Sequence, residues 1–192
     1  MLHDIGHGPF SHLFEEVIQD KKTSHEDYGK KIILNSEIGD VLSKTGFDKK
    51  IIAQIAFGES KFQYLNEIIS GSLSADMMDY LLRDGYFTGA EHAKVDHKRI
   101  TQSLNIHKKK IALERSALYS FESMMHSRYQ MFKAVYFHKT VRAAEVMLIQ
   151  ALRLSDDEFG FSSFNLNEYV KLTDEFVISS IIFSKSSKLK RA

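Results

Sequence analysis

The 192 residues suffice for one folded domain with a substantial core, and the 43% apolar content excludes a disordered chain. Twenty-six basic residues against 25 acidic ones leave a formal charge of +1, so no overall field draws in nucleic acid or anionic lipid, and phosphate recognition must be local. The lack of cysteine excludes disulfides, thiolate metal sites and a cysteine nucleophile; with no bilayer-length apolar run and no signal peptide, a cytoplasmic protein without membrane attachment is expected.

A single proline and ten glycines favour long helices, and the expected fold class is all-α with a small β-hairpin insertion near residues 103–114. The opening, "MLHDIGHGPFSH", places His3, Asp4, His7 and His12 among twelve residues with Gly6, Gly8 and Pro9 between them. Glycines and proline fill a core poorly and clustered imidazoles make a poor surface, so the combination reads as a site. "FSHLFEEVIQD" follows as a short helix that stops at the "DKK" run. "TSHEDYGKKIILNS" holds two overlapping capping boxes, Thr23 with Glu26 and Ser24 with Asp27, which start a helix near Ser24 and put His25 in its first turn. "SEIGDVLSKTG" and "DKKIIAQIAFG" read as two short helices closed by glycine.

"FQYLNEIIS" leads into "ADMMDYLLRDGYFTG", a helix expected to end near Gly85. Asp76, Tyr80 and Asp84 recur every four residues and share one face, opposite packing residues such as Leu81. In "SLNIHKKKIALER", Leu104/Ile106 and Ile111/Leu113 alternate around a lysine-rich turn and predict the hairpin. Ser116 to about Leu154 is the longest periodic stretch. Leu118, Phe121, Met125, Phe132 and Val135 form its expected buried seam, and Arg128 falls inside it. "SDDEFGFSS" reads as a loop, "NLNEYVKL" and "TDEFVISSIIFS" as helices, and "SKSSKLKRA" as a basic tail. His92, His97 and His107 are expected at the surface, in loops or a strand.

An adjacent His-Asp pair offers one nitrogen and one oxygen to a hard or borderline divalent cation, although the same dipeptide also serves as a helix-end hydrogen-bond pair. An arginine within an apolar seam needs an anion, either a bound phosphate or an acidic residue such as Asp79 or Asp84. Tyr136 and His138 fit ligand contact or ordinary packing and helix-end hydrogen bonding equally well.

"LHDIGHGPFSHLFE" resembles the signature of the HD-domain phosphohydrolases, specifically the branch of deoxynucleoside triphosphate triphosphohydrolases related to the sterile-alpha-motif/HD protein. "TSHED", "ADMMDYLLRD" and "HSRYQMFKAVYFHK" resemble that branch's later motifs in the same order, over roughly residues 1–150. The resemblance implies metal ligation by His3, Asp4 and Asp76. It implies catalytic roles for His7, His12 and His25, which line the cleft, and for Glu15, which orients one of them. Tyr80, Asp84, Arg128 and Tyr136 would hold sugar and phosphates. The implied cofactor is a divalent ion (Mn, Fe, Zn, Mg or Ni), the substrate a nucleotide or other phosphate ester, and the assembly a homo-oligomer.

Two departures accompany the likeness. It implies a further metal-binding histidine on an upstream helix, whereas this sequence opens at the pair, so an N-terminally truncated chain is expected, with a phosphohydrolase core at 1–154 and a C-terminal helical extension at 155–192. Met77 stands where the triphosphohydrolases carry a phosphate-contacting lysine. The functional expectation is a metal-dependent phosphohydrolase acting on a (deoxy)nucleoside triphosphate. The alternative is a catalytically silent fragment serving as a binding or assembly module. Nucleic-acid binding through the lysines at 108–110 and the basic tail is the weakest reading, because no aromatic residues alternate with them to stack bases.

Overall fold

The computed structural model describes residues 2–18, 23–184 and 186. In chain order the helices are α1 (His12–Ile18), α2 (His25–Asn35), α3 (Glu37–Lys44), α4 (Lys49–Ala56), α5 (Gln63–Ser70), α6 (Ala75–Thr88) and α7 (His97–Gln102). Strands β1 (Leu104–His107) and β2 (Lys110–Leu113) precede α8 (Leu118–Met131), a π-helical turn (Phe132–Tyr136), α9 (Lys139–Phe159), α10 (Leu166–Tyr169) and α11 (Asp174–Phe183). Among the described residues the fold is therefore all-helical apart from one hairpin. The chain forms two compact units, residues 1–53 with 143–192 and residues 54–142. Among the described residues, no helix is long and apolar enough to cross a membrane.

The first unit is built around Phe14, Val17, Tyr28, Leu152, Phe161, Tyr169 and Val177. Of the two overlapping capping boxes, the second starts α2: the Ser24 hydroxyl accepts from the Asp27 N–H, and the Asp27 carboxylate accepts from the Ser24 N–H at 3.0 Å. Glycine closes α3 as expected, with Gly46 left-handed at φ +86. The loop expected at "SDDEFGFSS" is instead helical through Phe159. Nothing in "SDDEF" breaks a helix, and α9 stops only where Gly160 turns left-handed, followed by a 3-10 turn at Phe161–Ser163. The basic tail lies outside the described residues, apart from Ser184 and Ser186, as does the "DKK" run.

The second unit packs around Met78, Leu81, Ala93, Val95, Ile100, Met124 and Met131. Its α6 does not end near Gly85 but runs to Thr88, and Gly89 (φ +70) takes the left-handed cap. Gly85 serves a different need: a Cβ there would lie 2.4 Å from that of Ala93, so this glycine permits close packing and does not terminate the helix. His97 opens α7 behind the N-cap Asp96 and is not in a loop. The hairpin has the expected register, Leu104 opposite Leu113 and Ile106 opposite Ile111. Glu67 of α5 accepts from the Ile111 N–H at 2.6 Å and ties the hairpin down.

The long helix expected from Ser116 to about Leu154 is divided. The π-helical turn and a break at Phe137–His138 separate α8 from α9. The fully buried row of α8 is Met124, Ser127 and Met131, whereas Leu118, expected in the seam, is 42% exposed. Phe121, Met125 and Val135 only flank that row, because a stripe of alternating Phe and Met permits two neighbouring faces.

Candidate active site

The opening loop owes its course to its small residues. A Cβ on Gly6 would lie 1.9 Å from the His25 carbonyl oxygen and 2.3 Å from the Gly29 nitrogen, so only glycine lets the loop press onto the backbone of α2. Phe10 and Ser11 then take consecutive left-handed conformations, φ +57 and +54, which L side chains adopt at a cost. This sharp reversal starts α1 at His12 and returns that ring to the others.

The loop brings six of the sequence-predicted residues together within the first unit. His3 Nε2 stands 3.1 Å from Asp4 Oδ2, and Asp4 Oδ1 lies 3.5 Å from His7 Nε2. A nitrogen and a carboxylate oxygen at the first of these separations are spaced like neighbouring ligands of one divalent ion, and their chemistry suits a hard or borderline cation. His7 Nδ1 is buried and has no hydrogen-bond partner.

Beside this pair, Glu15 organises the remaining imidazoles. Its Oε1 accepts from the His25 ring Nδ1 at 2.8 Å and from the His25 backbone N–H at 3.2 Å, while Oε2 faces His12 Nδ1 at 3.3 Å. A carboxylate only accepts, so both rings carry their proton on Nδ1 and leave Nε2 open. Burial alone would raise the Glu15 pKa, but the hydrogen bonds from the His25 ring, the His25 backbone and His12 together hold it below the ordinary value. His7 is pushed below the usual imidazole range, first by burial and then by the charges of His25 and His12. It is neutral at neutral pH.

His7 stacks on His25 with centroids 4.1 Å apart and ring planes 12° from parallel, and His12 meets both edge-on. One nitrogen of each ring lies within 4.8 Å of the others. The in-plane lone pairs of parallel rings do not converge on a point, so this cluster is better built to pass protons than to grip an ion. His12 is the open member, its side chain 75% exposed against 22% for His25.

The other predicted residues stand together in the second unit. Tyr136 donates to Asp84 Oδ2 at 2.6 Å; burial, then this bond, keeps its hydroxyl protonated far above the usual tyrosine range. Arg128 Nε donates to the Tyr80 hydroxyl at 3.4 Å, and its guanidinium lies 5.2 Å from the centre of the Phe132 ring. The acidic partners considered for Arg128 are engaged elsewhere: Asp79 pairs with Arg83 at 2.8 Å, and Asp84 accepts from Tyr136. Among the described residues, no carboxylate pairs with Arg128. Asp76 occupies the first turn of α6, half-buried, one turn before Tyr80. Met77, at the expected lysine position, is partly buried against the second core. His138 takes the helix-end role, with its ring Nδ1 accepting from the Thr140 N–H at 3.3 Å.

Sequence reasoning missed Tyr169, the place of the Phe132 ring against the Arg128 guanidinium, and the π-helical turn that carries that ring. The only sequence signal for Tyr169 was the helical pattern around it, which says nothing of a contact with Gly6. A glycine inside the α2 pattern, Gly29, was the available sign of close backbone approach.

Comparison with known proteins bears on the family and the fold. Residues 95–188 match the family described as HD associated region. YwfO of Bacillus subtilis is 35% identical over 93% of this chain and 45% of its own. A deoxynucleoside triphosphate triphosphohydrolase SAMHD1 homolog of Dictyostelium discoideum is 28% identical over 100% of the chain and 40% of its own. The crystal structure of a phosphohydrolase from Bacteroides thetaiotaomicron superposes with a TM-score of 0.80 at 27% identity, covering 97% of this chain and 51% of that one. The chain thus spans about half the length of these relatives. With the ordered motifs, the helical fold and these likenesses in agreement, the chain belongs to the HD-domain phosphohydrolase family.

Proposed function

We propose that this chain carries the core of a metal-dependent phosphohydrolase acting on a nucleotide, a (deoxy)nucleoside triphosphate. The observation that carries the reading is the Glu15 carboxylate holding His12 and His25 next to the His3–Asp4 pair, which joins a cation-binding dipeptide to a proton-handling cluster on one loop. The triphosphate part rests on the Dictyostelium relative and on the sequence likeness.

His3 and Asp4 would hold the ion, one of Mn, Fe, Zn, Mg or Ni, with Asp76 as the further ligand implied by the family likeness. When bound, such an ion polarises a phosphoryl oxygen and acidifies a bound water. His12, held by Glu15 through Nδ1–H, takes up a proton on its open Nε2 and delivers it to the leaving oxygen, which returns the ring to the neutral Nδ1–H form, and His25, held by the same carboxylate, can resupply that proton. Neutral His7 stacks on His25 and keeps it in place. Arg128, backed by Phe132 and free of carboxylates, receives phosphate charge, with Tyr80, Asp84 and Tyr136 placed beside it for the sugar.

The test is phosphate release from deoxynucleoside triphosphates, measured for the chain and for its Asp4→Ala and Asp76→Ala variants alongside metal content. The expected outcome is a loss of at least about 100-fold in each variant. Undiminished hydrolysis would overturn the assignment. A chain with neither ion nor turnover would favour the alternative, a binding or assembly module.

A further inference from the structure

Tyr169 lies far along the chain from the opening motif, in a segment to which the sequence attaches no chemistry, yet it is buried against the loop that carries His3, Asp4 and His7. Its hydroxyl donates to the Gly6 carbonyl oxygen at 2.8 Å. Its ring stacks on Tyr28 of α2, with centroids 3.7 Å apart and planes 3° from parallel. The fit is tight on both sides, because a Cβ on Gly8 would lie 2.9 Å from the Tyr169 hydroxyl. Burial, followed by the neighbouring Tyr28 and Glu15, raises the Tyr169 pKa well beyond the ordinary tyrosine range, so the hydroxyl remains a donor at all working pH values.

A second hold acts at the far end of the same loop. The backbone N–H of Phe10, the first of the two left-handed residues, donates to Asp174 Oδ1 at 2.9 Å. Asp174 is the first residue of α11, whose N-cap is Thr173. Tyr169 is in turn fixed by α10, which starts with a capping box between Asn165 and Glu168. Two short helices from the C-terminal segment thus grip the loop at Gly6 and at Phe10, on either side of His7.

We infer that Tyr169, assisted by Asp174, is a positioning residue for the His3–Asp4 pair, and that the C-terminal segment 165–174 acts as the clamp that sets the geometry of the cation-binding loop. The inference rests on the reading that His3 and Asp4 hold a divalent ion. Groups that orient metal ligands without touching the metal commonly control affinity by about 10–100-fold, and a carbonyl held two residues from the ligating carboxylate acts on that ligand through a stiff stretch of backbone.

The experiment titrates the full chain with Co²⁺ and follows the visible d–d bands together with the affinity. Variants are Tyr169→Phe, which keeps the stacked ring and deletes only the donor, Asp174→Asn, and Ile100→Val, a control in the separate core of the second unit. The expected result is Co²⁺ affinity weakened about 10-fold or more with altered bands in Tyr169→Phe, a smaller effect in Asp174→Asn, and unchanged affinity and bands in Ile100→Val. Circular dichroism on the same samples confirms that the variants fold. Wild-type affinity and bands in a folded Tyr169→Phe would overturn the clamp, as would an equal loss in Ile100→Val. Failure of the wild-type chain to bind Co²⁺ would instead strike the metal reading itself, which separates the two ideas.

Discussion

Glu15 Oε1 accepts from His25 twice, from the ring at 2.8 Å and from the backbone N–H at 3.2 Å. One carboxylate oxygen therefore fixes both the position of the first turn of α2 and the tautomer of the imidazole that turn carries. Replacing Glu15 with glutamine keeps the shape but puts an amide where a carboxylate stood. The His12 and His25 rings lose their enforced Nδ1–H form. The expected result is a drop of about 100-fold in kcat with KM little changed, measured by phosphate release from a nucleoside triphosphate.

Arg128 offers a planar fork backed by the Phe132 ring, and no carboxylate neutralises it among the described residues. A lysine would keep the charge but lose the fork and the stack. Arg128→Lys is expected to raise KM for a nucleoside triphosphate about 10–100-fold, the range for a lost charge-assisted hydrogen bond, with a far smaller effect on thermal stability. Steady-state kinetics with a melting curve on the same preparation checks both halves.

Gly6 admits no side chain, because a Cβ would meet the backbone of α2 at 1.9 Å and 2.3 Å. Gly6→Ala is expected to cost about 3 kcal/mol, the upper end for overpacking, and to lower Tm by roughly 6–12 °C for a chain of this size. At a temperature where the variant is still folded, activity should fall further than the folded fraction, because the displaced loop carries His3, Asp4 and His7.

Acid should loosen the start of α2. The Asp27 carboxyl lies below its ordinary value, chiefly because it accepts from the Ser24 N–H. A carboxyl with a depressed folded pKa contributes stability that is complete above the unfolded value, about 3.9, and is lost as pH falls through the folded value. Glu15 carries the same sign. Hydrogen exchange at the first amides of α2 should therefore stay slow from pH 7 down to about 5 after correction for intrinsic rates, then speed up below about pH 4. An Asp27→Asn variant should lose most of that pH dependence while retaining slow exchange deeper in α2.

Much of the fold was legible because its signals are local. Ser24 with Asp27 announces a helix start, Leu104/Ile106 against Ile111/Leu113 announces a hairpin and its register, and Gly46 announces a stop, each within a few residues. Helix ends set by distant packing were not legible. Gly85 resembles a terminator in sequence, and only the nearby Ala93 explains why it is an interior residue. The division of the long helix was hidden too, since "HSRYQMFKAVYFHK" contains neither glycine nor proline to mark a break. Within the candidate site, the histidines, Glu15 and Arg128 were identifiable from motif order. The pairing of Tyr136 with Asp84 and the hold of Tyr169 on Gly6 join residues 52 and 163 positions apart, a relation that no window of sequence contains.

The π-helical turn at Phe132–Tyr136 has a consequence for how this stretch tolerates change. It accommodates one residue more than an α-helical path would, so Tyr136 at its end is turned by about 100° from where a regular helix would place it. Ala134, within the turn, is solvent-exposed, yet excising it would restore the regular path and swing the Tyr136 hydroxyl away from Asp84. A residue can thus be indispensable for its count alone: length, independent of chemistry, is inherited information at this point of the chain.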